Sequence, residues 1–154
     1  LTSLQKKNKK PAIGKRREAA FWDQLKKQMA QKRPKWLTER IESWATPGFP
    51  DVFVEDDGGK YHTIELKHCI APRVDLSPHQ VSFHSRHGNG SSWILIKYSP
   101  HGAGRVYALM LYHASQAVEL RMDGLATKPV LELNNPDDWE PVFGTLEAGH
   151  AVYN

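Results

Sequence analysis

Cysteine is nearly absent. Cys69 stands alone in 154 residues, so no disulfide framework can hold this chain, and a reducing compartment is implied. Long apolar runs are missing too. Nothing approaches the roughly 20 apolar residues needed to cross a bilayer, and the mean hydropathy is −0.58. The start lacks the charged, apolar and small-residue succession of a secretory leader. These exclusions predict a cytoplasmic protein with no membrane partner. Acids are scarce at the start: residues 1–40 hold 13 Lys and Arg against only Glu18, Asp23 and Glu39, a balance of +10. The whole chain carries +4, so the remainder sums to −6. A basic first third on a weakly acidic body suits a polyanion, most simply nucleic acid; the plainer alternative is a solubilising lead-in. Lys6 to Lys10, including Lys9 and Lys10, lie in a polar segment (residues 1–13) expected to be flexible until a polyanion is present.

What is present suffices for one domain with a substantial core. Residues 14–31 predict an amphipathic helix, with Glu18, Trp22, Leu25 and Met29 on one stripe and Phe21 beside it. Trp36 to Trp44 reads as a strand, ended by Pro47-Gly48. Val52–Val54 and Tyr61–Leu66 flank the turn signal Asp56-Asp57-Gly58-Gly59 and predict a hairpin. After a loop, Ser77-Pro78-His79-Gln80 has the form of a capping box with proline at the first helical position, opening a helix to about His87. Trp93-Ile94-Leu95-Ile96 suits a central strand buried on both faces. Val106–Tyr112 predicts another strand, and His113–Leu120 a short helix. The resulting order is αβββαβ with additions, an α/β class with a central mixed sheet. Residues 134–154 hold Pro, Gly and acids without a period and predict an irregular C-terminal extension to a domain spanning 14–133.

The chemistry concentrates on the hairpin. If Asp57–Gly59 form its loop, residue 56 pairs with 60, and counting back brings Asp51 opposite Glu65. Opposed residues stand roughly 5 Å apart at Cβ. Two carboxylates so close repel unless a cation lies between them, and hard oxygen ligands suit Mg²⁺. On a strand Glu65 and Lys67 share one side while Leu66 faces the other, so Lys67 adds positive charge beside the pair. This combination is the chemistry of a metal-dependent phosphodiesterase. A surface strand with an ordinary Glu–Lys ion pair is the plainer alternative.

The string Pro50-Asp51, then Glu65-Leu66-Lys67, resembles the PD-(D/E)XK nucleases. Arg40-Ile41-Glu42, Pro47-Gly48-Phe49-Pro50-Asp51, Ile64-Glu65-Leu66-Lys67 and Leu76-Ser77-Pro78-His79-Gln80 follow in the order of one branch, the virus-type replication-repair (VRR-NUC) nucleases and phage Holliday-junction-resolvase-like proteins. The likeness covers residues 14 to 120. It implies a restriction-endonuclease-like core, an endodeoxyribonuclease activity, and Mg²⁺ (or Mn²⁺) held by Asp51, Glu65, the Leu66 carbonyl and Glu18. It further implies a homodimer acting on branched DNA, within the host cytoplasm if the gene is a phage's. A less selective nicking or degradative endonuclease, or an inactive nucleic-acid-binding module, would share the motifs.

Several residues carry two readings. Glu18 would organise metal or water by the resemblance, or merely complement the helix dipole. Gln80 would contact the site, or reach back to Ser77 as a reciprocal cap; one side chain is expected to satisfy only one of these. Arg40 could hold a phosphate and Glu42 could replace Glu18, unless both only line a solvated face. Lys15, Arg16, Arg17 and Ser77 complete the nucleic-acid-contacting set. Among eight histidines, His79, His84 and His87 lack zinc-ligand spacing. His68 is expected to pack at the sheet edge, and Cys69 to be buried filler.

Overall fold

A computed structural model describes residues 13–42, 45–102 and 106–149. Lys9, Lys10 and Trp44 lie outside the described residues. The elements follow in the order α1 (Ile13–Lys32), β1 (Leu37–Arg40), β2 (Val52–Glu55), β3 (Tyr61–Cys69), α2 (Pro78–Arg86), β4 (Ser92–Tyr98), β5 (Ala108–His113), α3 (Ala117–Asp123), β6 (Leu131–Asn134) and α4 (Glu140–Ala148). The six strands form one mixed sheet in chain order. All neighbours are antiparallel except β3 and β4, which run parallel because α2 carries the chain back between them. The expected αβββαβ core and α/β class are what the chain forms.

Two apolar clusters line the sheet. One face packs Phe21, Leu25 and Met29 of α1 and Val142, Phe143 and Leu146 of α4 against Val52, Ile64, Leu66 and Leu95. The other joins Val74, Leu76, Ala117 and Leu120 to Ile94, Ile96 and Tyr112. Every residue of β4 except Tyr98 is buried, as its unbroken apolar run predicts. Burial on both faces suits β4 to the interior of the sheet, with β3 paired beside it.

Two expectations need correction. The first strand covers only Leu37–Arg40, matching the four residues of β2 that it pairs with. Over residues 134–149 the chain is not irregular, because α4 fills the core. Trp139, at 2 % exposure, packs its ring edge-on to Phe21 at 6.0 Å. Arg33 forks onto Glu140 at 2.6 and 2.8 Å and also pairs with Glu147, while Lys32 meets Asp138 at 3.0 Å. The acids without a visible period thus answer the basic end of α1. Part of the positive charge read as polyanion-facing is consumed inside the fold.

Candidate active site

The hairpin turn sets the position of the first carboxylate. Asp56 Oδ1 accepts from the Gly58 and Lys60 N–H groups at 3.0 and 2.9 Å, which closes the turn. From there the ladder runs Glu55 opposite Tyr61 to Val52 opposite Ile64. Continued by one residue, it brings Asp51 to Glu65, as the counting predicts. The Asp51 carbonyl accepts from the Ile41 N–H at 2.7 Å, and its Oδ2 accepts from the Leu66 N–H at 2.8 Å. The Asp51 side chain therefore occupies the place of a ladder acceptor and is locked against β3. Gly48 explains how the preceding loop reaches this point. Its φ is +84°, and a Cβ there would lie 2.2 Å from the His79 carbonyl oxygen. Only glycine lets the loop press on the start of α2 in this way. Phe49 seats edge-on to Phe83 at 5.3 Å and fixes the same contact.

Glu65 is 2 % exposed. Its Oε1 accepts from Gln80 Nε2 at 2.8 Å and lies 3.9 Å from Lys67 Nζ. Its Oε2 is buried with no hydrogen-bond partner among the described residues. Burial, and next the Asp51 charge, push the Glu65 carboxyl well above the usual range, with Lys67 opposing. Glu18 is raised too, mainly by burial, with Lys67, Asp51, Arg40 and Lys15 all acting on it. The first turns of α1 thus bring Glu18 within electrostatic reach of the pair.

Gln80 corrects the expectation that its two readings exclude each other. Its Oε1 accepts from the Ser77 N–H at 2.9 Å, while its Nε2 donates to Glu65. The Ser77 hydroxyl accepts from the Gln80 N–H at 3.1 Å, completing the box. An amide has an acceptor at one corner and donors at the other. One side chain caps the helix and holds the carboxylate together.

The other predicted residues are less closely gathered. Arg40 lies 6.0 Å from the Trp22 ring, its Nε buried and unpaired among the described residues. Glu42 is exposed beyond the end of β1. Lys15 and Arg16 are exposed on the first turns of α1, and Arg17 is half-buried. His84 is buried with Nδ1 2.7 Å from the Gln80 carbonyl, whereas His87 stacks on Phe83 at 4.2 Å and His79 is exposed. His68 lies not at a sheet edge but on β3, which is paired on both sides. Cys69 is buried, and burial pushes its thiol up to about 11, as suits filler.

No group of three His, Cys, Asp or Glu side chains gathers into a ready metal cage among the described residues. The donor set is instead a pair, Asp51 and Glu65, beside the Leu66 carbonyl, with Glu18 one step away. A buried carboxylate oxygen without a donor, next to a second carboxylate, fits a divalent cation taking oxygen ligands. The sequence reading overlooked a second polar cluster on the same hairpin. His62 Nε2 meets Asp56 Oδ2 at 2.9 Å, and His62 Nδ1 meets Ser91 Oγ at 2.5 Å. His62 alternates with Ile64 on a buried face, which was the available signal.

No protein-family model and no curated protein matches the chain. Among solved structures, Hjc of Archaeoglobus fulgidus, a Holliday junction resolvase from an archaeal hyperthermophile, is similar over 85 % of this chain and 98 % of that one, at 16 % identity and a TM-score of 0.46. A likeness this remote speaks to neither activity nor substrate, which only the side chains can address.

Proposed function

We propose that this protein is a divalent-metal-dependent endonuclease that hydrolyses DNA phosphodiester bonds. The observation that carries the reading is the Asp51–Glu65 pair, two carboxylates held together with Glu65 Oε2 buried and unpaired among the described residues. Asp51, Glu65 and the Leu66 carbonyl would hold Mg²⁺ or Mn²⁺, with Glu18 contributing directly or through water. When bound, the metal supplies a water of lowered pKa and neutralises charge on the phosphate.

The chain's own groups do the rest. Gln80 holds Glu65 Oε1, leaving Oε2 for ligation. Asp51 is oriented by the Leu66 N–H, so neither carboxylate must reorganise on binding. Lys67, only 15 % exposed, keeps an ammonium beside Glu65, where it would stabilise charge developing on the phosphate. Exposed Lys15 and Arg16 flank Glu18 on α1 and would guide the strand by its backbone. Branched DNA cut by a homodimer is the substrate and assembly that the motif resemblance favours.

The test is incubation with four-way junction, flap, nicked and linear DNA, in Mg²⁺ and in EDTA. Cleavage should need the metal, should be greatest on the junction, and should fall to background in Asp51→Asn and Glu65→Gln proteins with unchanged circular dichroism. Undiminished cutting by either variant would sink the assignment. Equal cutting of all four substrates would overturn the branched-DNA part alone.

A further inference from the structure

On the opposite side of β3 from Lys67, the Lys97 ammonium lies beside the His68 imidazole with no counter-charge among the described residues. His68 and Lys97 are register partners on β3 and β4, so their side chains share the face that α1 covers. Lys97 is 7 % exposed. Its ammonium donates to Gln24 Oε1 at 2.7 Å and lies 4.5 Å from the Tyr107 ring centre. His68 Nε2 is 2.9 Å from the buried Ser99 hydroxyl. His68 Nδ1 is buried with no hydrogen bond among the described residues, although the Arg17 carbonyl is near enough to favour a proton there. Arg17, Phe21 and Gln24 recur at helical spacing on α1, and the Phe21 ring stands edge-on to His68 at 6.5 Å. Arg17 is close enough to His68 for its charge to act on that ring.

All 17 Asp and Glu residues belong to the described part of the chain, and none pairs with Lys97, His68 or Arg17. Burial alone presses the Lys97 ammonium towards its neutral form. Burial, then Lys97 and Arg17, press His68 the same way. Buried lysine is ordinarily paired with a carboxylate, because an uncompensated charge in a low dielectric is costly. Here the Gln24 amide and the Tyr107 aromatic face stand in for that partner. The place is near the C-terminal ends of two parallel strands, where α/β sheets commonly receive ligands.

We propose that Lys97, His68, Arg17 and the Ser99 hydroxyl form an anion site for a phosphate group, and that it receives a backbone phosphate of the bound DNA strand. The assignment to a strand rests on the nuclease reading above; the phosphate site does not. Lys67 and His68 are consecutive, so β3 would hold the cleavage centre on one face and a strand anchor on the other.

The test uses the full chain in EDTA, with inorganic phosphate as the probe and Lys97→Met and Lys97→Arg as variants. Wild-type protein should melt higher as phosphate is added, and Lys97→Met should lose that response with a more than tenfold drop in phosphate affinity. Without phosphate, Lys97→Met should melt at or above the wild type, because a buried uncompensated charge is gone. Lys97→Arg should keep phosphate binding. A Lys97→Met protein that melts lower without phosphate, or binds phosphate like the wild type, overturns the site. In a second arm, the salt dependence of duplex binding should flatten by about 0.9 in Lys97→Met, one phosphate contact. An unchanged slope with phosphate binding lost would overturn the strand as the source and assign a free phosphate ester. A wild-type protein that cuts DNA but neither binds phosphate nor melts higher in its presence would leave the nuclease reading standing and this one refuted.

Discussion

The β2–β3 hairpin carries two polar clusters a few residues apart, and they are built to opposite rules. At the turn end, Asp56, His62 and Ser91 close on themselves. Asp56 takes two backbone N–H groups and His62, His62 takes Ser91, and the Trp93 indole donates to Ser91 Oγ at 2.9 Å. Burial raises the Asp56 carboxyl, yet its hydrogen bonds from His62, Lys60 and Gly58 hold it below the usual range. Burial pushes His62 down, so the pair is an anionic acid and a neutral imidazole. At the other end, Asp51 and Glu65 face each other with one oxygen unpaired among the described residues and the Glu65 carboxyl pushed up. A satisfied cluster rigidifies, whereas a half-satisfied one costs stability and persists only where something else is gained. The difference separates a structural network from the pair proposed above to hold a cation.

The sharpest way to break this contrast is at Lys67. Lys67→Ala should lower single-turnover cleavage about a hundredfold or more while DNA affinity in EDTA stays near the wild type, since its charge is needed where the phosphate gains charge. A variant that fails only by losing affinity would move Lys67 from the open cluster to a binding role.

The closed cluster should answer in stability instead. His62→Ala strands Asp56 and Ser91 and removes the ring stacked on Trp36 at 5.8 Å. A loss of about 3 kcal/mol is expected in denaturant unfolding, with cleavage per folded molecule unchanged. The pH sign follows from the depressed His62. The unfolded imidazole binds protons near 6.5 and the folded one does so less readily, so stability is full above that pH and lost as pH falls below it. Reduced turnover in folded His62→Ala protein would show that the two clusters are coupled.

Gln80 touches the open cluster through one amide. Gln80→Ala keeps the N–H that Ser77 caps, so stability should fall by at most about 1 kcal/mol. Cleavage should fall about tenfold, with its pH optimum moving up because Glu65 loses the donor that favours its ionised form. Equal losses in both measurements would reduce Gln80 to a helix cap.

The smallest effect is the most diagnostic of an open site. The Glu65 carboxyl is raised above 4.5 in the fold, so the wild type is favoured at low pH and loses stability as pH rises towards the raised value. In EDTA at pH 8, Glu65→Gln should therefore melt higher, by about 2 °C or more, the size that about 1 kcal/mol produces in a domain of this length. Near pH 4 the two should coincide, and saturating Mg²⁺ should reverse the order at pH 8. A variant that melts lower at pH 8 in EDTA would place Glu65 among satisfied structural acids.

Local signals were legible wherever one element's own residues decide the outcome. Asp56 to Gly59 set the turn, the turn sets the register, and the register carries Asp51 to Glu65. Ser77 to Gln80 announce the start of α2. The apolar run of β4 reads as central because both its faces are buried. What escaped notice depends on distant partners. Nothing in residues 137–147 indicates that their acids meet Lys32 and Arg33 or that Trp139 packs on Phe21, because those contacts bridge more than a hundred positions. Lys97 went unmarked in sequence for the same reason, and so did the contact that Gly48 makes with the start of α2.

The sequence alone therefore determined where the carboxylates stand, since strand alternation and turn length are local and count in whole residues. Only the tertiary structure decided their condition. Glu65 Oε2 is buried without a donor among the described residues, α2 brings Gln80 onto Oε1, and α1 brings Glu18 within electrostatic reach of Lys67. Those outcomes follow from packing and dielectric, which no single stretch of chain carries within itself.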